Sequence, residues 1–213
     1  MTKPDVKKVI FVCTGNTCRS PMAEAIFRSE AKRRGFNVQV GSAGTEAAAG
    51  KGINLYSLRT LAAHGLSVEN FTATQLTAQE AADAFAVVCM TEPQKRLVAS
   101  LITKELGENG AKSKKVYAFS DFCGYEIPDP YGGSMEVYDR TFQALEGGMS
   151  AVIEGLFPIE PLKSAEKLPE NPSGKSPAQK KKSPPKKPAS ACKKTTNKSG
   201  VKKPSVKKEN EEK

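Results

Sequence analysis

Short apolar runs recur along the chain, separated by stretches whose apolar positions follow a helical period. Val9-Ile10-Phe11-Val12, Val38-Gln39-Val40, Ala84 to Met90 and Val116-Tyr117-Ala118-Phe119 are short, apolar and mostly β-branched or aromatic. That is the pattern of buried strands. Pro21 to Arg34 is predicted as a helix: Ser20 is placed to cap it, Pro21 suits the first helical position, Glu24 falls in the first turn, and Arg33-Arg34-Gly35 closes it. Leu55 to His64 reads as a helix stopped by Gly65. Thr77 to Ala82 reads as a short helix, with Thr77 and Glu80 spaced as a capping box. Glu92 to Leu106 is helical and ends at Gly107, Tyr125 to Gly133 is an irregular Pro/Gly-rich loop, and Ser134 caps a last helix to about Gly155. Strands alternating with helices predict an α/β fold, a parallel sheet with helices on both faces. In such folds functional groups gather at the carboxyl ends of the strands, which directs attention to the loop after the first strand. No internal repeat is visible.

Composition changes this picture only beyond Phe157. Hydrophobic residues make up 38% of the 213-residue chain, low enough to imply a segment that does not join the core. The net charge of +10 locates that segment. Met1 to Ile159 hold 17 basic and 17 acidic residues, whereas the last 54 residues hold 16 Lys and 6 acidic residues. Residues 158–213 also carry nine prolines and no aromatic residue, so they cannot bury enough apolar surface to offset their ordering entropy. The expected division is a folded domain over 1–157 and a disordered Lys/Pro-rich basic tail over 158–213. Runs such as Lys180-Lys181-Lys182-Ser183-Pro184-Pro185-Lys186-Lys187-Pro188 imply at most non-specific, salt-sensitive contact with nucleic acid or another polyanion. The five cysteines (Cys13, Cys18, Cys89, Cys123, Cys192) are odd in number and irregularly spaced, which points to a reducing, cytoplasmic setting rather than a disulfide framework. The apolar run after the N-terminus is too short for a signal segment, and no stretch is long enough to span a bilayer. One His and no Cys/His clustering give no reason to expect a metal, and a monomer without cofactor is expected.

The candidate chemistry lies in Cys13-Thr14-Gly15-Asn16-Thr17-Cys18-Arg19-Ser20, which runs from a predicted strand into a predicted helix. Such a turn can aim successive backbone N–H groups into one concavity, and the helix N-terminus adds partial positive charge, so a phosphate fits there. Gly15 is expected to supply a backbone conformation closed to other residues. Arg19 offers a planar fork for two phosphate oxygens. Cys13 faces the same donors, which would stabilise its thiolate for attack on phosphorus and formation of a phosphocysteine. Ser20 is placed to donate a hydrogen bond to the departing sulfur. Asp129, in Ile127-Pro128-Asp129-Pro130-Tyr131-Gly132-Gly133, is the candidate general acid for the leaving group and then base for the hydrolytic water.

These residues resemble the low-molecular-weight protein-tyrosine phosphatase family. Val9 to Glu24 matches its opening motif nearly throughout, Ser42-Ala43-Gly44-Thr45 resembles its second loop, and Asp129-Pro130-Tyr131 its acid loop. The resemblance covers about residues 7–156. It implies a four-stranded parallel sheet, a double displacement on phosphorylated protein substrates, phosphate contacts from Thr14, Gly15, Asn16, Thr17, Cys18, Ser20 and Tyr131, and a hydrogen bond between Asn16 and Ser42 that holds the loop open. Two features are similar to the bacterial protein-arginine phosphatases within that family: Thr17, where tyrosine enzymes usually carry a residue such as Ile, and Asp129-Pro130-Tyr131-Gly132-Gly133-Ser134. A threonine hydroxyl suits a polar, planar guanidinium where an Ile methyl does not, and Asp129 can pair with that cation. The resemblance therefore implies hydrolysis of phosphoarginine, with phosphotyrosine as the alternative. One departure stands out. Members often brace the loop with a His near Asn70-Phe71, where this chain has Phe71, and its single His64 falls at a helix end.

Three other readings compete. Cys18 can form a reversible disulfide with Cys13 under oxidants, or it can simply pack the loop. An arsenate reductase of the same fold would relay a disulfide through downstream cysteines, which Cys89 in a core strand and a distant Cys123 suit poorly. A nucleic-acid-binding protein on a phosphatase-like scaffold would not need Cys13, Arg19, Ser20 and Asp129 together.

Overall fold

The computed structural model describes residues 6–111 and 115–158. The chain runs β1 (Lys7–Cys13), α1 (Arg19–Arg33), β2 (Val38–Gly44), α2 (Leu55–Ala63), α3 (Ala78–Asp83), β3 (Ala86–Cys89), α4 (Glu92–Ala111), β4 (Val116–Ala118), α5 (Ser120–Cys123) and α6 (Met135–Leu156). The four strands form one parallel sheet in the order β2-β1-β3-β4. The expected α/β architecture is thus present. The expected basic tail lies outside the described residues, except for Pro158.

β1 is the centre of the sheet, and its alternation divides the core. Val9, Phe11 and Cys13 face one apolar layer with Met22, Ile26 and Phe27 of α1 and Phe142, Leu145 and Met149 of α6. Ile10 and Val12 face the other, with Ala81 of α3 and Val98 and Ile102 of α4. Successive side chains of a strand point to opposite faces, so one continuous apolar run serves both layers. Each large side chain fully buried here contributes roughly 1.5–3 kcal/mol. After α6 comes Phe157, whose ring packs against Phe27, Phe36 and Phe85, with the Lys7 ammonium over Phe85 at 4.4 Å.

This strand order sets the position of the site. From β1 the chain moves outward to β2 and then crosses to β3 on the other side. The order reverses at β1, which opens a crevice beyond its carboxyl end. Cys13 is the last residue of β1, paired in register with Gly44 at the end of β2.

Local differences from expectation have identifiable causes. α1 starts at Arg19 rather than Pro21, with Cys18 in the capping position and no side-chain cap. Ser20 therefore lies inside the helix, its hydroxyl taken by other partners. Ser134 stands at the N-cap of α6 without bonding a helix N–H, because its hydroxyl goes to Glu136 instead. The capping box of α3 is present as predicted. At Gly107 the α4 backbone breaks with φ of 71°, and helix then resumes to Ala111. α5 was not predicted. It is a single turn between β4 and the Pro/Gly loop, closed by Gly124 in the left-handed region.

Candidate active site

The turn from β1 into α1 wraps a cavity of about 270 Å³ lined by Cys13, Thr14, Gly15, Thr17, Cys18 and Arg19, together with Asp129 and Tyr131 from the loop before α6. Among the described residues, the backbone N–H groups of Thr14 to Cys18 donate to no protein acceptor. A run of unspent donors beside a helix N-terminus is an anion-binding concavity. Arg19 lies at its edge with its side chain 5% exposed. One terminal nitrogen donates to Asp129 at 2.6 Å and the other to the Ile127 carbonyl at 3.4 Å. The Arg19 Nε is buried and without a partner. A buried unpaired donor is costly unless a ligand uses it.

Behind the loop, a directional hydrogen-bond chain leads to the Cys13 sulfur. The Thr74 N–H donates to Asn16 Oδ1 at 2.8 Å, which fixes the carboxamide orientation. Asn16 Nδ2 must then face outward from that bond, and it donates to Ser20 Oγ at 2.9 Å and Ser42 Oγ at 3.0 Å. Ser42 donates onward to the Glu24 carboxylate at 2.6 Å, and Glu24 is also paired with Arg28. Ser20 Oγ already accepts from Asn16, so its own proton is free for Cys13 Sγ at 3.1 Å, a shorter contact than the Ala43 carbonyl at 3.4 Å. A hydroxyl donor aimed at sulfur stabilises a thiolate. The expected Asn16–Ser42 bond is therefore present. Both Asn16 and Ser20 are fully buried, so they form the back of the loop rather than the cavity wall.

Glycine has a different role from the one the sequence suggested. Gly15 does not adopt a positive φ; Asn16 does, at 51°. Asn tolerates the left-handed region, and three side-chain bonds hold it there. The position that requires glycine is Gly44, where a Cβ would lie 2.5 Å from the Thr14 carbonyl oxygen and 3.0 Å from the Asn16 nitrogen. β2 thus runs flush against the loop. The Thr45 and Glu46 N–H groups continue this contact by donating to the Cys13 and Thr14 carbonyls, each at 2.9 Å.

The brace missing from the sequence near Phe71 is supplied by the Thr74 backbone. A main-chain donor leaves no trace in side-chain identity, so no sequence signal marked it. The sequence reading also missed Glu46, Ala48 and Lys51, which complete the cavity wall, and Gln94, whose amide donates to the Thr14 hydroxyl at 3.0 Å. Tyr131 is 69% exposed at the cavity mouth, and its N–H donates to the second oxygen of Asp129 at 3.2 Å. The Asp129 carboxylate is thereby held from two sides.

Cys13 and Cys18 are free thiols, and Cys18 contacts the Tyr138 hydroxyl at 3.4 Å. Burial, and then the bond to Cys18, push the Tyr138 phenol upward, so it stays protonated. Cys89 lies in the sheet core, where burial pushes its thiol up to about 12. A thiol so held is a poor relay nucleophile. His64 caps the end of α2 and stacks on Phe142 with centroids 3.9 Å apart, far from any role in the loop.

The comparisons agree with this architecture. A sequence model of the family described as low molecular weight phosphotyrosine protein phosphatase matches residues 8–161. A protein-arginine-phosphatase of Bacillus subtilis is 36% identical over 141 residues, covering 65% of this chain and 89% of that protein. The low molecular weight protein-tyrosine-phosphatase PtpB of Staphylococcus haemolyticus is 34% identical over 140 residues, covering 65% and 91%. A solved structure of the YwlE arginine phosphatase, a cysteine-to-serine mutant with a phosphorylated active-site serine, superposes with a TM-score of 0.62 at 34% identity, covering 70% of this chain and 95% of that one. Among the described residues no helix is long and apolar enough to cross a membrane.

Proposed function

Because the chain belongs to the low-molecular-weight phosphotyrosine protein phosphatase family, we propose that it hydrolyses phosphoarginine in proteins with Cys13 as the nucleophile. The observation that carries the phosphoryl chemistry is the set of unspent donors around one sulfur: the loop N–H groups, the unpaired Arg19 Nε and the Ser20 hydroxyl 3.1 Å from Cys13 Sγ. In the first step the Cys13 thiolate attacks phosphorus, an S–P bond forms and the P–N bond of phosphoarginine breaks. Asp129 gives its proton to the departing guanidino nitrogen, which leaves as a guanidinium. In the second step water attacks phosphorus, Asp129 takes its proton, the S–P bond breaks, and Ser20 donates to the returning thiolate. The loop amides and Arg19 hold the equatorial oxygens throughout, where charge develops. Arg19 donates to the Asp129 carboxylate at 2.6 Å. An incoming phosphate competes for that guanidinium and frees the carboxyl to face the leaving atom.

Two features of the wall favour phosphoarginine over phosphotyrosine. The mouth carries two carboxylates, Asp129 and Glu46, with Lys51 as its added cation. A guanidinium leaving group can engage such carboxylates, while a neutral phenol gains nothing from a second one. Thr17 adds a hydroxyl to the same wall, bonded at 3.6 Å to Cys18. The similarity to a protein-arginine-phosphatase of Bacillus subtilis is consistent with this reading.

The test compares turnover of matched phosphoarginine and phosphotyrosine peptides by wild type and Thr17→Ile. Wild type is expected to prefer phosphoarginine, and the variant to shift toward phosphotyrosine by about tenfold or more. A wild type that prefers phosphotyrosine would overturn the arginine reading and leave the cysteine chemistry in place.

A further inference from the structure

Gln94 is a buried polar side chain with no part in the chemistry described so far. It lies in the first turn of α4, directly after the strand that flanks β1, and is 8% exposed. Its Nε2 donates to Thr14 Oγ1 at 3.0 Å, and its Oε1 is buried without a partner. Thr14 follows Cys13 and lines the cavity. Its carbonyl is tied to the Glu46 N–H at 2.9 Å, so the Thr14 backbone is fixed while its hydroxyl is set by Gln94 alone among the described residues.

A hydroxyl has one proton and two acceptor sites. With an acceptor site filled by the Gln94 amide, the Thr14 proton is left to be donated elsewhere, and the open side of this residue is the cavity. We propose that the Thr14 hydroxyl is a hydrogen-bond donor to the phosphoryl group held over Cys13, and that Gln94 is the positioning residue that turns it there. The loop is then governed from two sides. The Asn16 network sets the Ser20 proton toward sulfur, and Gln94 sets the Thr14 proton toward phosphate. The unpaired Oε1 fits this account. Among the described residues, the Gln94 amide makes its only hydrogen bond to Thr14, with nothing else in the core using it.

The inference rests on the phosphoryl group sitting over Cys13 and is independent of the choice between arginine and tyrosine. Its test measures kcat and KM for an aryl phosphate, and the inhibition constant of orthophosphate, on the full chain. The variants are Thr14→Val, Thr14→Ser, Gln94→Met and the Thr14→Val/Gln94→Met double variant, with melting temperature followed in parallel. Thr14→Val is expected to weaken orthophosphate about ten- to hundredfold, the range for one hydrogen bond to a charged group. Gln94→Met is expected to weaken it in the same direction, and the double variant no further than Thr14→Val, since both act through one proton. Thr14→Ser, which keeps the hydroxyl, should recover most of the affinity. Orthophosphate binding unchanged in Thr14→Val would overturn the donor assignment. Fully additive losses would overturn the role of Gln94. Either result, with Cys13→Ser inactive, leaves the nucleophile assignment standing. If Gln94→Met melts too low to assay, Gln94→Glu takes its place: its carboxylate accepts the Thr14 proton, so weakening that vanishes in the Thr14→Val background supports the proposal, and weakening that persists there overturns it.

Discussion

Ser20 shows how one hydroxyl acquires its function from its neighbours rather than from its own identity. In the sequence, Ser20-Pro21 reads as a helix cap. In the fold the helix begins two residues earlier than Pro21, at Arg19, and the hydroxyl is claimed by Asn16 and Cys13 instead. The Thr74 N–H, which can only donate, turns the Asn16 amide so that its Nδ2 donates to Ser20, whose own proton is left for Cys13 Sγ at 3.1 Å or the Ala43 carbonyl at 3.4 Å. Ser20→Ala removes the one side-chain hydroxyl that contacts the Cys13 sulfur among the described residues. Its kcat is expected to fall about ten- to hundredfold. Alkylation of Cys13 by iodoacetamide at neutral pH should slow in parallel, while the melting temperature changes little. Faster alkylation in Ser20→Ala would contradict the assigned polarity. Cys13, Arg19 and Asp129, which the fold brings to one cavity, were legible in the sequence by residue type and local context. Thr74, Glu46 and Gln94 were not, because each acts through a backbone group or a contact between distant segments that leaves no local pattern.

At the scale of elements, two glycines separate packing that positions the site from packing that only holds the fold. At Gly44, where β2 meets the phosphate loop, a Cβ would press on the Thr14 carbonyl and the Asn16 nitrogen. At Gly148, inside α6, a Cβ would run into the buried Phe119 ring. Both Gly→Ala changes overpack tightly fitted contacts and are expected to cost about 1–3 kcal/mol in denaturant unfolding. Their kinetics should differ. Gly44→Ala must displace the loop, so kcat/KM is expected to drop at least tenfold for protein that is still folded, by the sensitivity of catalysis to small misplacement. Gly148→Ala should leave kcat/KM of the folded fraction near wild type. Equal kinetic losses in both would mean that the β2–loop contact has no special role. The sequence announced the elements well, because short β-branched runs and capped helices are local signals. It misplaced an edge at Ser20, where the hydroxyl has other partners, placed Ser134 at the right cap position though not with the expected bond, and missed α5, a four-residue turn too short to show a period.

For the whole molecule, the sheet order places the active-site loop at the carboxyl end of β1, while Lys7 and Phe157 close the opposite end. The excess positive charge lies beyond Phe157, so the charge of the chain as a whole says little about the site. Truncation after Pro158 is therefore expected to keep kcat and KM for a small aryl phosphate within about twofold, the range of surface changes away from any site. A large loss would mean that the segment beyond is part of the catalytic domain. The α/β class and the crevice were legible in the alternation of strands and helices, because topology follows from element order and handedness. The part of the cavity wall formed by Glu46 and Lys51 was not, because these residues are brought beside Asp129 only by the fold. The central claim is that phosphorus passes through the Cys13 sulfur, and the most direct measurement is acid-quench trapping. Asp129→Asn, which cannot activate the hydrolytic water, is mixed with an aryl phosphate whose phenolate leaves without needing a proton, then quenched and digested for mass spectrometry. The account predicts one phosphoryl group on the peptide that contains Cys13, absent in Cys13→Ala. Phosphate recovered on another residue, or substrate turnover undiminished in Cys13→Ala, would contradict it.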